Sequence, residues 1–377
     1  MILLWSMTLI PLLLGLFFWI SNKKVVLLEW ALAVIAGVIT CGVFQAVLIL
    51  GMTADVETWS GRVTLARYDP AYVEWYMHAV YRTEHYTTTD SNGDVSHHTR
   101  EVFDHYERRT RTVPPSWLAK DSLGQNRSIS PEVFEDIAAK FKCRRQEKGH
   151  KGNYDSGDPY TYFAEPTSGY VYPTTATKMW SNRVKAAPST FSFRKVPEGT
   201  KGIYPWPEPA NWIGTTARLR GTAVDMGSVA WDQLNAELGA AKKINLIAIG
   251  FGEAADRGVA LTQEAAWVGG KKNDLVLCFG GGTRQKPEWS HVFGWTESTL
   301  VKRNLEAMLL DGPITPALLP KIRDEVVANY VIKNWHKFDY LTIEPPGWSY
   351  MVLIVVMGLT QAAVWFVALH NNISKRG

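Results

Sequence analysis

Apolar segments long enough to cross a bilayer constrain this chain more than any other feature of it. A hydrocarbon core of about 30 Å takes about 20 helical residues, and residues 2–20, 25–51 and 348–370 are three such stretches. Basic residues flank them on one side only. Lys23 and Lys24 sit between the first two, and Lys375 and Arg376 follow the third. A chain crossing at the second and third segments returns to the side it left, so the positive-inside rule assigns residues 21–24 and 371–377 to the cytoplasm. Residues 52–346 then lie across the membrane, in the periplasm if this is a bacterial inner membrane. The N-terminus lacks the basic start of a secretory signal, so the first segment reads as a retained helix, with Trp5 and Trp19 as interfacial anchors.

The second segment repeats Ala33, Gly37 and Cys41 every four residues. Small side chains at that spacing let helices approach closely, which predicts packing on the first or third helix, or else a homo-oligomer seam. Gln45 and Gln361 are expected to hydrogen-bond between helices. Glu29 is the one acid within these segments, which argues against a transport pathway.

The net charge of +4 belongs mostly to the flanks. Without Lys23, Lys24, Lys375, Arg376 and Glu29, 36 basic residues face 35 acidic ones. The region between the membrane segments therefore has no electrostatic footprint for nucleic acid. Of three cysteines, Cys143 and Cys278 lie in that region. A disulfide is open to them, although Cys278 sits in an apolar run that suits a buried thiol.

The chain reads as an α+β membrane protein: a helical hairpin over 1–51, a β-rich domain over 56–200, an α/β/α sandwich over 225–335 and a final membrane helix over 347–370. Residues 58–68, 75–89 and 95–113 are rich in Thr, Val, Tyr and Trp, as strands are. Asn92-Gly93 predicts a two-residue hairpin loop between the last two, which sets Thr87 opposite His98, Val80 opposite His105 and His78 opposite Glu107. Ser130-Pro131 caps and opens a helix. Residues 144–200 lack sustained periodicity, and the proline-rich run 204–209 serves as a connector. Beyond it come a helix from Ser228, a buried strand over 244–250, a helix over 259–268, strands over 275–279 and 289–295, then two helices. Strand, helix, strand with a short crossover predicts a parallel pair.

Three constellations invite chemistry. Around the hairpin, His78, His105 and Glu107 share a face and are candidates to converge on a metal; exposed histidines are the plainer reading. Near the strand ends, Glu253, Asp256 and Glu297 are the candidate acids of a hydrolase holding a divalent cation. For partner recognition the candidates are Trp289 and Trp295, with Arg284 and Lys286 on the preceding turn; core tryptophans are the alternative. Gly250-Phe251-Gly252 follows a strand, yet neither dinucleotide nor P-loop spacing is present, and no nucleophile elbow or zinc-protease motif occurs.

From Trp231 to about Ala328 the chain resembles the TPM-domain family (thylakoid acid phosphatase-like). Leu234, Leu238 and the strand over 244–250 carry this likeness. So do Ala266-Trp267-Val268-Gly269-Gly270-Lys271-Lys272-Asn273-Asp274-Leu275-Val276-Leu277 and Val292-Phe293-Gly294-Trp295-Thr296-Glu297. The resemblance implies an α/β/α sandwich on a membrane anchor, facing away from the cytoplasm, in a family of acid phosphatases and assembly or repair factors. Gly294 and Glu297 carry over. The family's Asp-Arg or Asp-Lys pair does not, because the corresponding turn reads Gly282-Thr283-Arg284-Gln285-Lys286. The wider layout resembles membrane proteins of tailed bacteriophages, through Thr58-Trp59-Ser60-Gly61-Arg62-Val63-Thr64, Ala186-Ala187-Pro188 and Phe338-Asp339-Tyr340-Leu341.

Many tryptophans and no convergent acid, base and nucleophile set favour recognition over catalysis. The expectation is an envelope protein that binds or assembles with another membrane or envelope protein. A metal-dependent TPM-type phosphatase is the alternative.

Overall fold

The computed structural model describes residues 6–22, 27–148, 153–167, 170–214, 216–283 and 286–371. Trp5, Lys23, Lys24, Arg284, Lys375, Arg376 and the Trp19 side chain fall outside the described residues. The fold is mixed α+β.

Two helices, α2 (Leu27–Thr53) and α8 (Gly347–Asn371), are long and apolar enough to cross a membrane, through Leu28–Thr53 and Gly347–Ala368. The expected third span is corrected: α1 (Leu9–Asn22) has 14 residues, about 21 Å of helix. It leans on α2, where Pro11 lies over Gly37 and Trp30 over Gly15. Helices α2 and α8 are antiparallel. Gln361 Nε2 donates to Ala33 O at 3.0 Å, and Cys41 and Leu48 pack with Leu353 and Met357. Ala33, Gly37 and Cys41 are thus buried by helices of the same chain, so the stripe offers no free surface to a second copy.

Helix α2 runs straight into β1 (Ala54–Asp69), a 16-residue strand with two sets of neighbours. Its first half pairs with β9 (Pro173–Ser181). Its second half pairs with β4 (Ser116–Asp121) and β8 (Tyr160–Glu165), beyond a register shift between Val63 and Leu65. With β5 (Asn126–Ser128) and β6 (Lys142–Glu147) these make a six-stranded sheet. Helix α3 (Pro131–Lys140) begins where expected, Ser130 Oγ accepting from Val133 N at 3.3 Å. Its Phe134 and Ile137 cover Val63, Ala66, Ala119 and Ala164. Strands β6, β8, β9 and β7 (Tyr154–Gly157) occupy the stretch that showed no periodicity; they are short and locally polar, so alternation is weak there.

The second sheet has the order β10 (Leu219–Gly221), β11 (Asn245–Gly250), β12 (Asp274–Gly280), β13 (Trp289–Gly294). Its first two pairings are parallel and the last is antiparallel. Each residue of β11 and β12 is buried, as strands covered on both faces require. Helix α5 (Gly258–Ala266) lies on the face of Ile247, Ile249, Val276 and Cys278. On the other face α4 (Ser228–Lys242), α6 (Thr299–Asp311) and α7 (Leu319–Asn329) pack over Leu246, Ala248, Leu275 and Leu277. Cys278 is a buried free thiol and Cys143 an exposed one.

The two sheets are joined through β1. At Gly239 of α4 a Cβ would lie 2.1 Å from Ser60 O, so only glycine admits this approach. Asn273 pairs with the backbone of Thr58, accepting from its N–H at 3.3 Å and donating to its carbonyl at 2.7 Å. Lys271 pairs with Asp55, and Lys272 Nζ lies 3.2 Å from Glu57. The Gly-Gly-Lys-Lys-Asn turn is therefore the seam that ties the α/β sheet to the strand rising from α2.

Candidate partner-binding arm

Strands β2 (Tyr72–Thr89) and β3 (Val95–Val113) form a ribbon of 18 and 19 residues. Its root is fixed. Residues Tyr72, Val73 and Glu74 pair with β7, and the Trp75 N–H donates to Asn153 O at 2.9 Å. Arg111 is bonded to the buried Glu74 at 2.5 Å. Arg108 covers the Trp75 ring at 4.9 Å and reaches Asp155 at 3.1 Å. From Tyr76 onward, among the described residues, the two strands pair only with each other. This free part is about 45 Å long at 3.4 Å per residue.

The tip departs from the expected two-residue loop. Thr89 pairs with Val95, so five residues make the connection. Asp90 Oδ1 accepts from the N–H groups of Asn92 (2.9 Å) and Asp94 (3.0 Å), and Gly93 takes φ +87. The carboxylate holds its own turn, and glycine supplies the left-handed residue. Register near the tip is one residue off the expectation. A bulge between Val80 and Tyr81 leaves Asp104 unpaired and restores it, so His78 does face Glu107 and Val80 faces His105.

The two faces of the arm differ in kind. One is internally satisfied: Glu84 accepts from Arg100 (2.9 Å) and Arg82 (3.0 Å), and those hydrogen bonds, Arg100 foremost, hold its carboxyl below the usual range. On that face Tyr86 stacks on His98 at 5.3 Å. The other face is aromatic and uncovered. Met77, Tyr81, Phe103 and Tyr106 are 52%, 57%, 46% and 61% exposed. Phe103 lies 6.1 Å from the Tyr81 ring and 4.9 Å from that of Tyr106. Contiguous apolar surface of this kind, carried by Tyr, Phe and Met, is the composition of interface cores.

The candidate metal site does not form among the described residues. Glu107 is bonded to Arg109 (2.9 Å) and His105 to Asp104 (2.9 Å). No group of three or more His, Cys, Asp or Glu among the described residues is arranged to hold a metal ion.

The three candidate acids do not meet either. Glu253 and Asp256 follow β11, at the carboxyl edge of the parallel strands, and both are exposed. Asp256 Oδ1 accepts from Gly258 N at 2.6 Å and so starts α5. Strand β13 runs back, with Trp289 opposite Gly280 and Gly294 opposite Leu275. Glu297 is thereby delivered to the other edge, a strand length of roughly 20 Å away. There it accepts from Lys337 (3.0 Å), Asn334 N (3.1 Å) and Lys333 (3.4 Å). Lys337 first, then the Asn334 N–H, bring its pKa down to about 2. Since the folded value is depressed, this clasp on residues 331–338 is present above the unfolded carboxylate value of about 4.3 and is lost as pH falls toward the folded one. The urea midpoint of Glu297→Gln should therefore lie below the wild-type midpoint at pH 6, with the gap narrowing at pH 3. A gap independent of pH would refute the clasp.

The two tryptophan candidates on the α/β sheet are half-buried, with their ring N–H groups bonded within the fold. Trp289 Nε1 donates to Ala255 O at 2.7 Å and its ring lies 5.7 Å from Phe251. Trp295 Nε1 donates to Gly270 O at 3.1 Å, and its ring packs on Trp335 and Phe338. Lys286 is exposed on a turn closed by Thr283.

Sequence reasoning missed the arm's aromatic face, although Tyr81, Phe103 and Tyr106 were placed on strands. It also missed His291, whose Nε2 lies 2.7 Å from Glu264 and whose Nδ1 lies 3.6 Å from Glu306. Glu306 accepts from Val292 N at 2.8 Å, which covers the free edge of β13. A cavity of about 640 Å³ lies between β5, the start of α3 and the connector; Arg127 is the charged residue in its wall. It is remote in sequence and sheet from Glu253, Asp256 and Glu297, so it supplies them no substrate pocket.

Neither family models, nor curated proteins, nor solved structures give a match to this chain.

Proposed function

We propose that this chain is a membrane-anchored binding or assembly protein that presents a β-hairpin arm to a protein partner. The aromatic face of the arm carries this reading: Met77, Tyr81, Phe103 and Tyr106 are exposed together on a ribbon with no second layer among the described residues. A two-stranded hairpin is marginally stable alone in water, and an uncovered aromatic face gains most by docking. The root of the arm adjoins the far end of β1, roughly 50 Å of strand from the end of α2. In this reading residues 52–346 face the periplasm from a bacterial inner membrane, as the one-sided lysines and arginines support. The resemblances support a TPM-like scaffold in a phage- or prokaryote-encoded protein, with its partner in the same envelope.

The test is excision. Replacing residues 78–107 by a short Asn-Gly turn keeps the root pairs, Arg108 on Trp75 and Asp155, and the two larger sheets. Such a chain should stay in the membrane with its thermal midpoint little changed, and lose the protein that crosslinks to the wild type in intact membranes. Capture of the same protein by the shortened chain would overturn the proposal.

A further inference from the structure

The ends of α2 and α8 meet at one short segment. Asn182 N donates to Thr53 O, the last residue of α2, at 2.6 Å, and Glu344 N, just before α8, donates to Ala186 O at 2.9 Å. Residues 182–186 therefore sit where both helices leave their apolar zone. Lys185 is exposed there, its ammonium 3.4 Å from Ala54 O. Lys178 is exposed on β9. Neither lysine has a carboxylate at ion-pair distance among the described residues, whereas Arg183 is held by Asp339 O at 2.8 Å and Lys337 by Glu297 at 3.0 Å.

Large apolar side chains accompany these two cations. Met179 and Tyr340 are each 74% exposed, and Trp348, in the first turn of α8, is 61% exposed. Met179 pairs with Val56, and Ser181 with Ala54 at the helix end. Two residues of strand put Met179 about 7 Å beyond that end, within a headgroup layer of roughly 5–8 Å per leaflet. Aromatic rings favour that layer, and cations there attract anionic lipid.

We infer that Lys178, Lys185, Met179, Tyr340 and Trp348 form a collar that seats the folded region on anionic phospholipid headgroups. The collar rests on the reading that α2 and α8 span a bilayer. The lysines take the phosphates, and the methionine and rings enter the interface between them. A seated collar would hold β1 at a set height, and with it the root of the arm.

The experiment uses the full chain carrying Met179→Cys in a Cys143→Ser background, since Cys41 and Cys278 are buried. The chain is labelled with a fluorophore and reconstituted in phosphatidylcholine vesicles with or without phosphatidylglycerol. Headgroup-spin-labelled lipid should quench the label at least twofold, and more strongly with phosphatidylglycerol present. Lys178→Gln and Lys185→Gln should each reduce the preference for phosphatidylglycerol about fivefold. A label left unquenched in a chain that resists alkaline extraction overturns the collar alone. A preference unchanged in both variants overturns it too, whereas extraction of the chain by alkali overturns the spanning reading beneath it.

Discussion

Asp274→Ala is expected to lower the thermal midpoint by roughly 10 °C, the largest effect of any single substitution considered. The Asp274 carboxylate is fully buried at the start of β12 and accepts from Asn245 Nδ2 (2.7 Å), Trp206 Nε1 (2.8 Å) and Lys271 N (2.9 Å). Asn245 in turn accepts from Arg218 Nε at 2.5 Å. Burial pushes the Asp274 carboxyl up and brings Arg218 down to about 10, while the charges of Asp232 and then Asp274 favour the protonated guanidinium. Alanine leaves the buried Asn245 amide and the half-buried Trp206 and Lys271 N–H groups without their acceptor, and leaves Asp232 as the acid facing Arg218. Breaking such a buried network costs about 3–5 kcal/mol, and for a body of this size each kcal/mol is worth about 2–4 °C. The same change loosens the Lys271 backbone beside Asp55, so the seam to β1 weakens with it. Differential scanning calorimetry of the purified chain decides the matter. A midpoint within 2 °C of the wild type would show that the network contributes little.

Tyr81→Ser combined with Phe103→Ser should reduce partner affinity at least a hundredfold while leaving the thermal midpoint nearly unmoved. Both rings are about half exposed, so their loss opens no cavity, and their mutual contact is worth about 1 kcal/mol at most. In a docked interface the same rings would be central anchors, and truncating an anchor typically costs 2 kcal/mol or more. Tyr86→Ser on the opposite, ion-paired face is the matched control and should change affinity less than threefold. Photocrosslinking from position 81 in intact membranes supplies the partner, and titration of the solubilised chain measures the affinities. Equal losses from the two faces would assign the energy to the arm's shape rather than to its aromatic side.

Local signals were legible in the sequence where backbone chemistry acts over a few residues. Ser130 and Pro131 marked the start of α3 because an N-cap hydroxyl and a proline suit the first turn of any helix. The Val95–Val113 strand was readable to the residue, and the continuous apolar runs in β11 and β12 announced strands buried on both faces. The hairpin loop was misjudged for an equally local reason. Asp90 closes the turn with its side chain, which lengthens the loop to five residues, and the Asp104 bulge then returns the pairing to its expected register. The candidate sites fared differently. Glu297 stands only a few residues after β13, but that strand reverses direction, so the acid lands at the opposite edge from Glu253 and Asp256. Trp295 looked like a contact residue until Trp335 and Phe338, about forty residues later, closed over it.

The sequence alone determined that the chain carries membrane-length apolar helices, with a large mixed α/β region between the two that qualify, and where most strands and helices begin. Those features follow from hydropathy, periodicity and capping, each of which acts along the chain. Only the tertiary structure decided which surfaces stay open. A tryptophan's burial, an acid's neighbours and the bareness of the Tyr81 and Phe103 face depend on which distant segments fold against them. That is settled by packing between elements far apart in sequence, and no local pattern encodes it.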